Sequence, residues 1–556
     1  MSFMTESLLL QAQSLRLDGD IHTSIHLLRT VLSQCNSDIQ AAAASSVAAT
    51  AADGGEDIAA DIAMKMKAVC RMRQMAAYQL ALLLLQRHGR CCYMNRKDVA
   101  NCNTQADNGV GDTETQTDEK EADDLLCRLG YRLRLSTRAF GYPSCSCRCT
   151  TTSESSSQLP LRVMDDVLPL KLFEALQYAF RPDSMYWKEL YSKVNIGNNS
   201  CWVEGGSNDG QSTERNQFVS HNIDLPRGNP SQSLQNANSI IEQVAIITKY
   251  KLMPHFPELQ NAKSVEVWCH QRPTDGSHQL HYDMDEIRLQ ERRERLLVAA
   301  AQTQRKRQKV DVSDRDQGKN DGIFCPMVSC VLTIYVPNNS HACSNCGETS
   351  RAAPTIICNQ SILNINQTET NCHTNDDEKG WLCYPKPNRL LAFEGSLLHG
   401  VVPGIPEHDI NINLHTSDND SDESNDGYSN DPNNQQQRVT LMMGFWANGV
   451  SIQDMSLGIG PNMPFPMIND SGTSWAKEFE PIQMQEDELE GTSVTNSITT
   501  AAAVIEVNPL WTPIHRDSSN FGEYINDNAM TMYFSGRFFL RSVCTREIDD
   551  EIIHNM

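Results

Sequence analysis

The chain has 556 residues, 39% of them hydrophobic, and a formal net charge of −23. That length allows two or more domains with cores of their own, and that charge weighs against general binding to nucleic acid or to an anionic membrane. The longest apolar run, LALLLL at 80–85, is far too short to span a bilayer.

The N-terminal part reads as helical. Leu8, Ala12 and Leu15 share one helical face, and after the turn at Asp18-Gly19-Asp20 the residues Ile21, Ile25, Leu28 and Leu32 share another. Further helices are expected over 64–88 and 121–136, giving a helical region at 1–136. Its first pair loosely resembles a tetratricopeptide-type hairpin, a candidate surface for a protein partner. The alternative is a helical cap packed on a catalytic domain. Ala-rich, acidic and Asn/Thr-rich stretches at 41–63 and 101–120 are expected to be linkers. MSFMTESLLLQAQSL lacks a basic n-region, and 19 cysteines without a secretory signal point to reduced thiols. The expected location is the cytoplasm. Arg305-Lys306-Arg307-Gln308-Lys309 fits either a nuclear address or the solvated end of a helix.

From residue 160 onward the pattern changes. A helix is expected over 163–180 and another over 285–309. Between and after them come short segments rich in Val, Ile and aromatics, bounded by Gly, Pro or Asn: 264–270, 277–283, 325–337, 355–362, 388–395, 400–404, 438–447 and 536–542. Many short strands with turn signals favour a sandwich or barrel of the jelly-roll kind, hence an α+β chain overall. Polar tracts near 195–216, 286–322, 338–354 and 405–437 read as insertions into a domain spanning 160–547.

The chemistry gathers around HYD at 281–283. Strand alternation puts His281 and Asp283 on one face, where both can reach one metal ion. His515 and Asp517 share that spacing, but only His554 follows them, and the pair is rejected as the metal site. Downstream of 281–283, by contrast, lie His399 in NRLLAFEGSLLHGVVPG and Arg438-Val439-Thr440, whose guanidinium and hydroxyl share a strand face and suit a carboxylate. His278 is expected on the opposite face from His281, Asp285 and Glu286 at the start of a helix, and Trp268 in a core. Cys343 and Cys346 have half of a zinc-site spacing.

The ordered set His281-x-Asp283, His399, Arg438-x-Thr440 resembles the Fe(II)/2-oxoglutarate-dependent dioxygenases, and within them the prolyl-4-hydroxylase-like branch. The resemblance covers roughly 160–545 once insertions are set aside. It implies a double-stranded β-helix domain with His281, Asp283 and His399 as catalytic iron ligands. It also implies Arg438 and Thr440 as the anchor for 2-oxoglutarate, with Tyr335 and His270 as additional cofactor contacts; the alternative for Tyr335 is an ordinary strand residue. Dioxygen and an unidentified protein or small-molecule substrate complete the reaction, with ascorbate as an accessory reductant. The distances from His281 to His399 and from His399 to Arg438 are longer than in the family, which the insertions account for. Two rival readings remain at this stage: a helical-repeat interaction protein carrying a degenerate oxygenase-like domain, and a zinc or other cupin-type enzyme on the same barrel.

Overall fold

Residues that alternate between apolar faces in the second half of the chain build two sheets that face each other, and helices cover both outer surfaces. The computed structural model describes residues 3–17, 20–50, 56–101, 112–140, 160–181, 184–188, 220–226, 228–273, 278–285, 325–336, 353–362, 379–402, 437–447, 462–466, 474–484, 504–514, 522–524 and 540–542.

Four helices open the chain: α1 (Phe3–Leu17), α2 (Ile21–Thr50), α3 (Glu56–Asn101) and α4 (Asp112–Arg128). Of the expected apolar faces, Ala12, Ile21, Ile25, Leu28 and Leu32 are buried in one core, while Leu8 and Leu15 are half-buried. Asp20 starts α2 by accepting a 2.9 Å hydrogen bond from the Thr23 backbone N–H. Two linker expectations are corrected. Residues 41–50 and 56–63 are helical, as high alanine content favours, and 112–120 belong to α4. The helix expected over 121–136 ends at Arg128. Gly130, at φ +81°, then turns the chain in a conformation other residues adopt at a strain cost. Tyr131–Leu135 (β1) follows as a strand, pairing with segments near the other end of the sequence, numbered β14 (Trp511–Pro513) and β15 (Leu540–Ser542) in chain order.

The larger sheet has seven strands. In spatial order they are β12 (Asn462–Pro464), β3 (Ser220–Asp224), β4 (Ser264–Pro273), β11 (Gln437–Trp446), β6 (Val328–Tyr335), β9 (Leu390–Glu394) and β2 (Leu161–Met164). All pairings are antiparallel except β12 with β3. The smaller, five-stranded sheet runs β13 (Val504–Val507), β8 (Gly380–Cys383), β7 (Thr355–Ser361), β10 (Leu397–Val401) and β5 (His278–His281), antiparallel throughout.

Period two decides the layers. Val331, Leu391 and Phe393 of the larger sheet meet Ile357, Trp381 and Leu397 of the smaller one in an inner core. Ile356 and Cys358, on either side of Ile357, point the other way, into the core shared with α1–α4. The outer face of the larger sheet, including Val265, Cys330 and Leu441, packs on α5 (Leu170–Ala179) and, after the short α6 (Pro230–Gln235), on α7 (Ile240–Leu252). The helix expected over 163–180 is therefore shorter, because its first residues are taken by β2, which pairs with β9. The α7 helix is unanticipated, although its start carries a legible Ser-x-x-Glu signature: Ser239 Oγ accepts from the Glu242 N–H at 3.1 Å, and Glu242 accepts from the Asn238 N–H at 2.7 Å. No helix among the described residues is long and apolar enough to cross a membrane.

Candidate metal centre

β5 and β10 are neighbours in the smaller sheet, and their register places His281 directly opposite His399. The two imidazoles form a cross-strand pair with ring centroids 4.3 Å apart. Asp283, just past the end of β5, brings Oδ1 to 3.5 Å from Nε2 of His281 and to 3.5 Å from Nε2 of His399. Candidate ligand atoms of the three residues all lie within 4.8 Å of one another. His399 and Asp283 are buried, and the His281 side chain is a quarter exposed.

His399 and Asp283 are each held in place by a neighbour. His399 Nδ1 lies 2.9 Å from the Leu397 carbonyl oxygen, so a proton on Nδ1 donates there and the Nε2 lone pair is turned toward Asp283. That Nε2 is buried with no hydrogen-bond partner, an arrangement that a metal ion satisfies. The Phe393 ring packs on His399 at 4.8 Å between centroids. Burial by itself would push the Asp283 carboxyl up, but the imidazoles of His399 and His281 outweigh it and hold the group well below the usual carboxylate range. Burial likewise favours neutral His399, while the Asp283 carboxylate and the Leu397 carbonyl raise it above the ordinary imidazole value. Two imidazoles and one carboxylate converging in this way fit a divalent first-row metal such as Fe(II), with positions left over for other ligands. Zinc accepts the same donors.

A small, partly open cavity adjoins the trio. His281 and His399 line it together with His270, Thr355, Arg438 and Thr440. Arg438 and Thr440 lie two residues apart on β11, are almost fully buried, and both face inward. Arg438 Nη1 donates to the Ala353 carbonyl. Thr440 is flanked across the sheet by His270 of β4 and Thr333 of β6. A second small cavity shares Val331, Thr355, Arg438 and Thr440 and extends to Thr333 and Arg389. The Arg389 guanidinium is matched by Asp165, at 2.6 and 3.0 Å.

Tyr335 is placed differently from expectation. β6 and β11 slip by one residue between the Thr440–Thr333 and Val439–Tyr335 pairs. This bulge turns Tyr335 to the face of Val439, outside the cavity. Its hydroxyl donates to the Gln177 carbonyl at 2.7 Å. Trp268 is buried, as expected of a core residue, and Asp285 is buried as well. Glu266 shares the inward face of β4 with Trp268 and His270. Burial, with the negative charges of Asp283 and Asp285, pushes its carboxyl up to about 7 against hydrogen bonds from Ser220 and Trp446. The His278 side chain, Glu286, 305–309, Cys343, Cys346, His515, Asp517 and His554 lie outside the described residues.

Sequence reasoning missed Ser329, Thr333, Thr355 and Phe393. The first two left a signal. Polar residues at 329 and 333, flanking Val331 at period two in an otherwise apolar strand, mark the inward face of β6.

No protein-family model matches the chain, and no curated protein does. Among solved structures, it is similar to a prolyl-4-hydroxylase from Pseudomonas putida, with 12% identity over 53% of this chain and 89% of that one and a TM-score of 0.23. It is also similar to HygX from Streptomyces hygroscopicus with nickel and 2-oxoglutarate bound, at 8% identity, 55% and 92% coverage and a TM-score of 0.20. The iron-bound form of HygX gives 9% identity, the same coverages and a TM-score of 0.19. TM-scores at this level do not establish a common fold, and the functional reading is drawn from the site itself.

Proposed function

We propose that this chain is an Fe(II)- and 2-oxoglutarate-dependent dioxygenase of the prolyl-4-hydroxylase-like branch, built on a double-stranded β-helix. Its reaction is the hydroxylation of a protein residue or a small molecule. The observation that carries this reading is the meeting of His281, Asp283 and His399 beside a cavity that also holds Arg438 and Thr440.

His281 Nε2, His399 Nε2 and Asp283 Oδ1 would hold the metal. Bound there, Fe(II) supplies dioxygen activation and substrate oxidation, coupled to conversion of 2-oxoglutarate to succinate and carbon dioxide. The chain's own residues supply the geometry. The Leu397 carbonyl keeps the proton on His399 Nδ1, and so keeps Nε2 available. Asp283 brings one negative charge to a buried site, which favours a divalent cation over a neutral occupant. Arg438 and Thr440 bind the far carboxylate of the co-substrate through a guanidinium fork and a hydroxyl, with His270 beside Thr440. Val331, Val401 and Met442 line the same cavity and limit water. His281 marks the open side of the trio and the approach for substrate.

Anaerobic titration of the protein with Fe(II) and then 2-oxoglutarate tests the reading. A weak visible charge-transfer band should appear, and His281→Ala should abolish it; an unchanged band in that variant would refute the ligand assignment. Succinate formation from 2-oxoglutarate separates an enzyme from an interaction protein with a degenerate site.

A further inference from the structure

The two carboxylate oxygens of Asp283 face different neighbours. Oδ1 stands 3.5 Å from Nε2 of each histidine. Oδ2 accepts a 2.7 Å hydrogen bond from Ser329 Oγ. Ser329 is 3% exposed and Asp283 9%, so water has little access to replace this bond.

We propose that Ser329 is a positioning residue for the metal centre: by holding Oδ2 it commits Asp283 to ligate through Oδ1 alone. This rests on the metal reading given above and adds to it a residue outside the ligand set. The terminal torsion of an aspartate is broad, and a carboxylate without the Ser329 bond is free to turn either oxygen, or both, toward the ion. With Oδ2 occupied, the carboxylate fills one coordination position, and the remaining ones stay open for co-substrate and dioxygen.

The surroundings of Ser329 are built for this role. It is the second residue of β6, with Phe393 of β9 and Gly444 of β11 as its cross-strand partners. Gly444 contributes no side chain that could compete for the hydroxyl. Phe393, from the adjacent strand, packs its ring on His399. One cross-strand pair of the larger sheet therefore steadies two ligands carried by or next to the smaller sheet: Ser329 holds the carboxylate and Phe393 holds the imidazole.

The test is Co(II) binding to the full chain in oxygen-free buffer, read by the visible d–d absorption of the bound ion, so it does not depend on turnover. Ser329→Ala is expected to weaken Co(II) binding by about 10- to 100-fold, the usual effect of losing an outer partner of a ligand, and to alter the absorption envelope. Ser329→Thr keeps the hydroxyl and should restore both. The metal-free melting temperature of each variant separates positioning from folding. If Ser329→Ala does not fold, Ser329→Cys keeps the size with a much weaker donor and should show the same loss. Wild-type affinity and spectrum in Ser329→Ala would overturn the proposal while leaving the metal site intact. Equal losses in the Thr and Ala variants at unchanged melting temperature would do the same. If the wild-type chain binds no Co(II), the metal reading and this proposal fall together.

Discussion

The two sheets contribute to the site in different ways. The smaller sheet brings the proposed metal ligands His281 and His399 as a cross-strand pair at its edge strand β5, which is only four residues long. The larger sheet brings Arg438, Thr440, His270 and Ser329 from the interior of a seven-stranded sheet whose outer face is covered by helices. On the proposed function, the sheet that would admit a metal and substrate presents its residues near an edge. The sheet that would fix the far end of the co-substrate presents them from its interior strands. An edge strand has fewer hydrogen-bonded neighbours and opens more readily, and a carboxylate anchor works only if its donors stay put.

Four substitutions sharpen or break that contrast, beginning with the largest effect. Phe393 is fully buried between the sheets, against His399. Phe393→Ala should destabilise the fold by about 3–5 kcal/mol, measured by denaturant unfolding, and should weaken metal binding as well. A loss below about 1 kcal/mol, the range of an ordinary surface change, would mean the two sheets do not share this core.

Glu266 comes next. Its folded-state value of about 7 lies above the ordinary 4.5, so its contribution to stability is fully present below pH 4.5 and is lost as pH rises through 7. The metal-free wild type should lose on the order of 3 kcal/mol across that window from this group, and Glu266→Gln should remove that slope. Melting temperatures at pH 5 and pH 8 decide it; identical pH slopes in both proteins would show that Glu266 titrates as an exposed carboxylate does.

Arg438→Ala should weaken 2-oxoglutarate binding by about 10- to 100-fold, the worth of a charge-assisted bond, while leaving the affinity for Co(II) near wild type. Loss of both affinities together would mean that Arg438 also supports the metal end. Tyr335→Phe gives the smallest effect. It should leave 2-oxoglutarate affinity unchanged and reduce stability by about 1 kcal/mol through the lost bond to the Gln177 carbonyl. A clear drop in co-substrate affinity would put Tyr335 back at the cavity.

Much of the site was legible because period two is a local property. His281 with Asp283 and Arg438 with Thr440 needed only strand-like sequence around them to be assigned a common face. The helical faces of α1 and α2 were legible for the same reason at period 3.6. The failures have one physical origin. Tyr335 satisfies the alternation of its own strand until the bulge against β11, and a bulge is a property of two strands. Tyr131–Leu135 continues a helical pattern, and its strand partners are far away in the chain. Ser329 became visible only when Asp283 was placed across from it.

The sequence by itself thus determined which residues can act together within one strand: a His-x-Asp pair, an Arg-x-Thr pair and a lone histidine following an apolar strand. Only the tertiary structure decided that His399 lies opposite His281, that Arg438 and Thr440 line the same cavity, and that Ser329 donates to Oδ2 of Asp283. Alternation is written into each strand, whereas register between strands is set by the packing of the whole inner core.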